Sequence, residues 1–233
     1  MSLLLEVIVQ SVADAVGAEA GGADRLEVVR EIERDGLSPP LDMVRSIASA
    51  TRLPLRVMVR ESDGFGVSGP GELANLKQYF AALAELGVDG AVLGFARDGL
   101  LDLDTTRLVL SAAPSLKATF HRAFDTLADP LGAVDALAAV PQIDRILTSG
   151  GTDDWAARCA RLHRYQGRAG SRLTILAGGG VDEEALRLIA SMRCVGEAHT
   201  GRAACHPQRP GAPVSAERVR HLKSIVANEP TRG

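Results

Sequence analysis

Aromatic residues make up only 3% of this 233-residue chain, so its core has to be built from Leu, Val, Ile and Ala rather than from packed rings. Cysteine is scarcer still. Cys159, Cys194 and Cys205 are an odd number with no C-x-x-C pair, which argues against both a disulfide framework and a zinc knuckle. No apolar run approaches the ~20 residues of a membrane span. No dense Lys/Arg stripe is present and the formal net charge is −3, so nucleic acid and anionic membrane are poor candidates for partners. The opening run Leu3–Val9 lacks a basic flank and is interrupted by Glu6. It reads as a strand rather than a signal peptide, and the cytoplasm is the expected compartment.

What is present is a globular balance, 46% hydrophobic and 24% charged, arranged as an alternation. Short β-branched runs recur eight times, at Leu3–Val9, Asp24–Arg30, Leu55–Arg60, Gly90–Phe95, Leu116–His121, Ile143–Thr148, Leu173–Ala177 and Val195–His199. Amphipathic Ala/Leu/Arg-rich stretches separate them, several opened by Asp or Ser as helix N-caps prefer. Eight uninterrupted β–α units predict a single (β/α)₈ barrel over residues 1–226, with a doubly wound open sheet as the competing arrangement. Residues 227–233 are expected to fray.

Several strands carry charge where a barrel should be dry. Glu6, Glu27, Arg56, Lys117 and Glu197 sit within strands, and unpaired charges there are costly. Pointing them inward would let Glu6, Glu27 and Glu197 pair with Arg56, Arg60 and Lys117. Without chemistry, that is a polar core held by salt bridges. The reading changes at strand C-termini, where barrel active sites lie. Arg60, His121, Arg122, Asp125, Thr148, Ser149 and His199 all fall there.

The stretch Phe120–Asp125 (FHRAFD) is the densest chemistry. It offers His121 as a proton carrier or metal ligand, together with Arg122 and Asp125, which could equally form a plain strand-end ion pair. After the seventh strand comes Gly178-Gly179-Gly180, and after the eighth His199-Thr200-Gly201-Arg202. Loops in these positions often hold phosphate through backbone N–H groups at a helix N-terminus, so Gly178–Gly180 and Arg202 are candidate anion binders. His199, Cys205 and His206 match no recognised metal-ligand spacing.

The motifs LEV (Leu5–Val7), EAGGADRLE (Glu19–Glu27), GLSPP (Gly36–Pro40), VMVR (Val57–Arg60), TFHRAFD (Thr119–Asp125), RILTSG (Arg145–Gly150) and GGGV (Gly178–Val181), taken in this order, resemble the CutC family. The resemblance implies a TIM-type barrel, self-association as a homodimer or larger homo-oligomer, and a role in copper homeostasis with copper as bound metal, His121 and His199 being the candidate ligands. Glu6, Glu27, Arg60, His121, Arg122 and Asp125 occupy the positions that relatives tend to keep. Two departures matter: Ile8 and Val29 stand where relatives often carry cysteine, the donor that soft Cu(I) selects. Two functions are therefore expected to compete, copper binding and an enzyme acting on a small anionic substrate, phosphorylated compounds included. In the second, Arg60, Gly178–Gly180 and Arg202 would hold the anion while His121 and Glu27 move protons.

Overall fold

The apolar runs pair side by side as parallel strands, because each is followed by a helix that carries the chain back across the sheet. The computed structural model describes residues 3–227. Ten strands run in chain order: β1 (Leu4–Val9), β2 (Arg25–Val28), β3 (Leu55–Met58), β4 (Gly90–Leu93), β5 (Ala96–Arg97), β6 (Leu100–Leu101), β7 (Lys117–Phe120), β8 (Ile143–Thr148), β9 (Thr174–Ala177) and β10 (Glu197–Thr200). Eight close in the order β1-β10-β9-β8-β7-β4-β3-β2, and β5 and β6 form a small antiparallel hairpin outside the ring. That hairpin, folded within the connection after β4, was not expected.

Eight helices complete the (β/α)₈ barrel: α1 (Val12–Gly21), α2 (Leu41–Ala50), α3 (Pro70–Glu85), α4 (Leu103–Leu110), α5 (Pro130–Ala138), α6 (Trp155–Ala169), α7 (Glu183–Met192) and α8 (Ala216–Ala227). Ser11, Asp102, Asp129, Asp154 and Asp182 cap five of them, each side chain accepting from the backbone N–H three residues on. Such a cap contributes about 1 kcal/mol. None of the helices among the described residues is long and apolar enough to cross a membrane. Of the tail expected to fray, Ala227 ends α8 and residues 228–233 lie outside the described residues.

Alternation along each strand divides the molecule into two interiors. Leu5, Val7, Leu26, Val28, Val57 and Leu93 belong to the buried apolar layer that packs beneath the helices. The other face points into the barrel, and it carries the charges. They do not pair as the strand pattern suggested. Glu6 and Glu197 share Arg25, whose Nη2 is 2.5 Å from Glu197. Glu197 also accepts from Arg145 Nε at 2.9 Å, and Arg145 reaches Asp144 at 2.7 Å. Asp144 accepts both terminal nitrogens of Arg56, at 3.0 and 2.7 Å, and Arg56 Nε reaches Asp89 at 2.6 Å. The result is an unbroken alternation of sign across the barrel base. Lys117 instead turns out to solvent and donates to Pro141 O, while Arg60 pairs with no carboxylate among the described residues.

Two local features open this network. The β7–β8 register shifts at Ala118/Thr119, so that Ala118 faces Ile143 and Thr119 faces Arg145. Asp144 is the extra residue of that bulge. Gly90 supplies the space, since a Cβ there would collide with the Arg56 guanidinium.

Candidate functional site

The strand C-termini surround a cavity of about 510 Å³. Glu27 of β2 and His199 of β10 form its buried end, Ile8, Met58, Phe65 and Leu147 its apolar wall, and Arg122 and Arg202 its exposed rim.

At the buried end three groups meet. His199 Nδ1 lies 2.8 Å from Glu6 Oε1, and its Nε2 lies 3.6 Å from Glu27 Oε2. Burial works against the Glu6 carboxylate, but the Arg25 charge and the His199 hydrogen bond outweigh it and hold Glu6 well below the usual carboxylate range. Glu27 has no such guanidinium contact, and burial pushes its carboxyl up to about 7. Burial also opposes charge on His199, yet Glu27 and Glu6 together raise its pKa. Glu27 Oε1 is buried without a hydrogen-bond partner, one of two such side-chain atoms among the described residues. Buried polar atoms are normally paired, and an orphan on a residue that lines a cavity keeps bonding capacity for a ligand. The arrangement sets a carboxyl of raised pKa beside an imidazole that a second carboxylate, paired with Arg25, orients.

His121 takes a different part from the one expected. The chain turns into a 3₁₀ helix (Arg122–Thr126) immediately after β7, and His121 Nδ1 accepts the N–H of Ala123 at 3.1 Å. Its proton therefore sits on Nε2. Burial and the nearby Arg60 charge press its pKa down to about 3, so at neutral pH it is an uncharged hydrogen-bond donor on the cavity wall, with Phe65 5.3 Å away centroid to centroid. Among the described residues the groups placed to share a metal ion are Glu6, Glu27 and His199; His121 is not with them.

Arg60 is buried and lies behind the cavity rather than on its lining. Its guanidinium donates to the carbonyls of Gly64, Arg34 and Gly36 at 3.1, 2.9 and 3.1 Å, tying the loops after β2 and β3 together. Arg122 does line the cavity, beside Asp125 at 3.1 Å. Asp125 also accepts from Thr148 Oγ1 at 2.5 Å and Ser149 N at 3.0 Å, so the TFHRAFD and RILTSG segments are laced together.

Of the three glycines after β9, Gly179 and Gly180 line the cavity and adopt φ of +72° and +86°. Gly178 packs below, where a Cβ would approach Leu147 Cδ1 to 2.5 Å. Arg202 stands over the loop, 3.9 Å from the Cβ that Gly180 lacks. The start of α7, expected to supply N–H groups to an anion, is taken by its own cap: Asp182 accepts from Ala185 N, and Glu183 and Glu184 follow. Negative charge there disfavours an anion at this helix end.

Sequence reasoning singled out Glu27 and His199 but passed over the part played by Glu6 in orienting His199. Arg25, two residues before Glu27 and therefore on the same strand face, was the available signal for the group that keeps Glu6 charged.

A soft Cu(I) ion does not fit this donor set. The cluster offers two carboxylates and one imidazole, and the imidazole nitrogens already face those carboxylates. Met58 supplies sulfur to the lining, whereas Cys159, Cys194 and Cys205 are buried elsewhere. Ile8 and Val29 pack together with Met58 in one apolar cluster.

Comparison with known proteins places this geometry in context. The chain is 33% identical over 208 residues to the family protein CutC of Xanthomonas axonopodis pv. citri, covering 89% of this chain and 83% of that protein. It is 31% identical over 187 residues to the human copper homeostasis protein cutC homolog, covering 80% and 68%. The crystal structure of CutC from Streptococcus agalactiae superposes with a TM-score of 0.79 at 24% identity, over 85% of this chain and 98% of that one. A monomer of phosphoribosylanthranilate isomerase from Thermotoga maritima shares the barrel alone, with a TM-score of 0.61 at 12% identity, over 97% and 100% of the two chains. The CutC family model matches residues 3–204, and the chain belongs to the CutC family.

Proposed function

We propose that the protein is an enzyme that transfers protons on a small anionic substrate held in the cavity at the strand C-termini. The observation that carries this reading is Glu27: a carboxyl in the cavity lining, buried, with one oxygen that has no hydrogen-bond partner among the described residues and a pKa raised to about 7 beside His199. Such tuning is the usual requirement of a general base at neutral pH. In the proposed reaction Glu27 accepts a proton from the substrate. His199, kept cationic by Glu6, stabilises the negative charge that develops, and His121 donates from Nε2 across the pocket. Arg122, Arg202 and the Gly179–Gly180 loop take the anionic end of the substrate.

A metal-stripped sample titrated with phosphorylated and carboxylated metabolites tests this by thermal shift. A true ligand at ~100 Kd stabilises by close to 3 kcal/mol. Stabilisation by an anion, weakened by Arg202→Met and accompanied by turnover that Glu27→Gln abolishes, is the expected result. An absence of any anion-induced shift ends the proposal.

Copper binding is a second reading, suggested by the name of the human relative. In its favour, single donor atoms of Glu6, Glu27 and His199 lie within 4.8 Å of one another. Nitrogen and carboxylate donors favour Cu(II) over Cu(I). Calorimetry with each ion separates the cases: saturable Cu(II) binding lost in His199→Ala supports this reading, and binding no stronger than that of free histidine removes it.

A further inference from the structure

Arg158 sits on α6 behind the loops that follow β8 and β9. The residue is buried, 8% exposed, and no carboxylate among the described residues bonds its guanidinium. Instead Nε donates to Ser149 O at 2.6 Å, and Nη2 donates to Gly178 O at 2.8 Å and Gly179 O at 2.9 Å. The indole of Trp155 covers one face of the guanidinium, 3.4 Å from ring centroid to Cζ. An arginine held this firmly, and used on backbone carbonyls alone, determines which way those peptide groups face.

The consequence follows from peptide geometry. In a trans peptide the C=O of one residue and the N–H of the next point in opposite directions. With the Gly178 and Gly179 carbonyls drawn toward Arg158, the N–H groups of Gly179 and Gly180 point away from it. Arg158 is not on the cavity wall, whereas both glycines are. Neither of these amides meets an acceptor among the described residues. Two adjacent unpaired donors thus face the cavity between Arg122, whose Nε is 3.4 Å from the position of a Gly179 Cβ, and Arg202. The buried positive charge behind the loop polarises both peptides through their carbonyls and strengthens the N–H groups as donors.

We propose that Arg158 is a positioning residue that turns the Gly179 and Gly180 amides into the cavity and makes its anion end a phosphomonoester cradle. This rests on the anion-binding half of the proposed function and names the ligand class. Two neighbouring amides and two guanidiniums present more donors than a planar carboxylate can engage, and they suit the three terminal oxygens of a phosphate. Asp125 completes the support, accepting the Ser149 N–H while Arg158 binds the carbonyl of the same residue.

The test uses ¹⁵N-labelled full-length protein titrated with inorganic phosphate and, separately, with acetate. In the wild type the Gly179 and Gly180 amide resonances should move downfield saturably with phosphate, with acetate binding about tenfold weaker or less. Arg158→Gln should displace both resonances in the free protein and weaken phosphate binding by about tenfold or more. Arg158→Lys should restore part of that affinity, and Arg202→Met should weaken binding while leaving the two free-state resonances in place. If Arg158→Gln does not melt cooperatively, Arg158→Lys carries the test, with displaced resonances and several-fold weaker binding expected. Wild-type affinity in a folded Arg158 variant would overturn the positioning role and leave the anion site standing. Equal affinity for acetate, or no response to phosphate, would overturn the phosphomonoester class, and a wild type that responds to neither anion would overturn both proposals.

Discussion

The base and the mouth of the barrel interior are made from the same residue types and treat them in opposite ways. At the base Arg25, Arg56 and Arg145 alternate with Asp89, Asp144, Glu197 and Glu6, each carboxylate bonded to at least one guanidinium. At the mouth, among the described residues, Glu27 has an orphan oxygen, His121 is neutral, and the Gly179 and Gly180 amides have no acceptor. A buried network is tolerable when every member is satisfied and costly when one is not. The saturated end therefore makes the fold consistent with its own charges, and the unsaturated end retains bonding capacity for a ligand. His199 joins the two, bonded to the saturated Glu6 below and facing the orphaned Glu27 above.

The largest effect belongs to the base. Arg25→Met removes the guanidinium from two carboxylates at once, and breaking a buried pair in this way costs about 3–5 kcal/mol. Urea unfolding should register that loss. A loss below 1 kcal/mol would mean that the base network is not a closed unit, and the contrast with the mouth would fail.

Glu27→Gln addresses the mouth through pH. The folded pKa of about 7 lies above the ordinary carboxyl value of 4.5, so between those values the unfolded chain releases its proton first and the native state keeps it. The stabilisation is then fully present below pH 4.5 and lost as pH rises through 7, about 3 kcal/mol in all. His199, whose pKa is also raised, adds a loss of the same sign above pH 6.5. In Glu27→Gln the Glu27 share disappears, so the variant should be the more stable protein at pH 8 and the stability profiles should converge in acid. A wild-type stability that is flat from pH 4.5 to 7 would place an unrecognised cation beside Glu27.

How much of this was legible depended on the range of the interaction. The eight strands and the Asp caps are local, set by β-branched runs and by side chains bonding three residues on, and they read directly from the chain. That Glu6, Glu27, Arg56 and Glu197 turn inward followed from the two-residue period of a strand. Their partners did not, because pairing across a barrel depends on how far each strand is offset from the next: Asp144 reaches Arg56, 88 positions away, through a one-residue bulge. His121 and His199 look alike as strand-end histidines, yet burial and the Arg60 charge keep the first neutral while a carboxylate 193 positions away orients the second. Arg158 had no signal at all, being one more arginine in an amphipathic helix whose buried face contains it.

A smaller change tests whether the apolar wall decides metal preference. Ile8 and Val29 pack together beside Met58, so the double variant Ile8→Cys/Val29→Cys would put two thiols next to a thioether. Competition against a chromogenic Cu(I) chelator should detect tight Cu(I) binding in the variant and none in the wild type, at a stability cost of about 1 kcal/mol for each lost branched side chain. Equal binding by both would show that sulfur on this wall is irrelevant to copper.

The smallest stability effect, and the sharpest contrast with Arg25, comes from Arg202→Met. Arg202 is an exposed cation on the rim with no salt bridge among the described residues, and substitutions of that kind change stability by no more than about 0.5 kcal/mol. Its whole consequence should fall on ligand response: the phosphate-induced rise in melting temperature shrinks while the ligand-free melt stays where it was. Arg25→Met should do the reverse, lowering the ligand-free melt. If Arg202→Met destabilised the free protein as well, the rim would be part of the structural network, and the division between a saturated base and an open mouth would have to be drawn above the glycine loop.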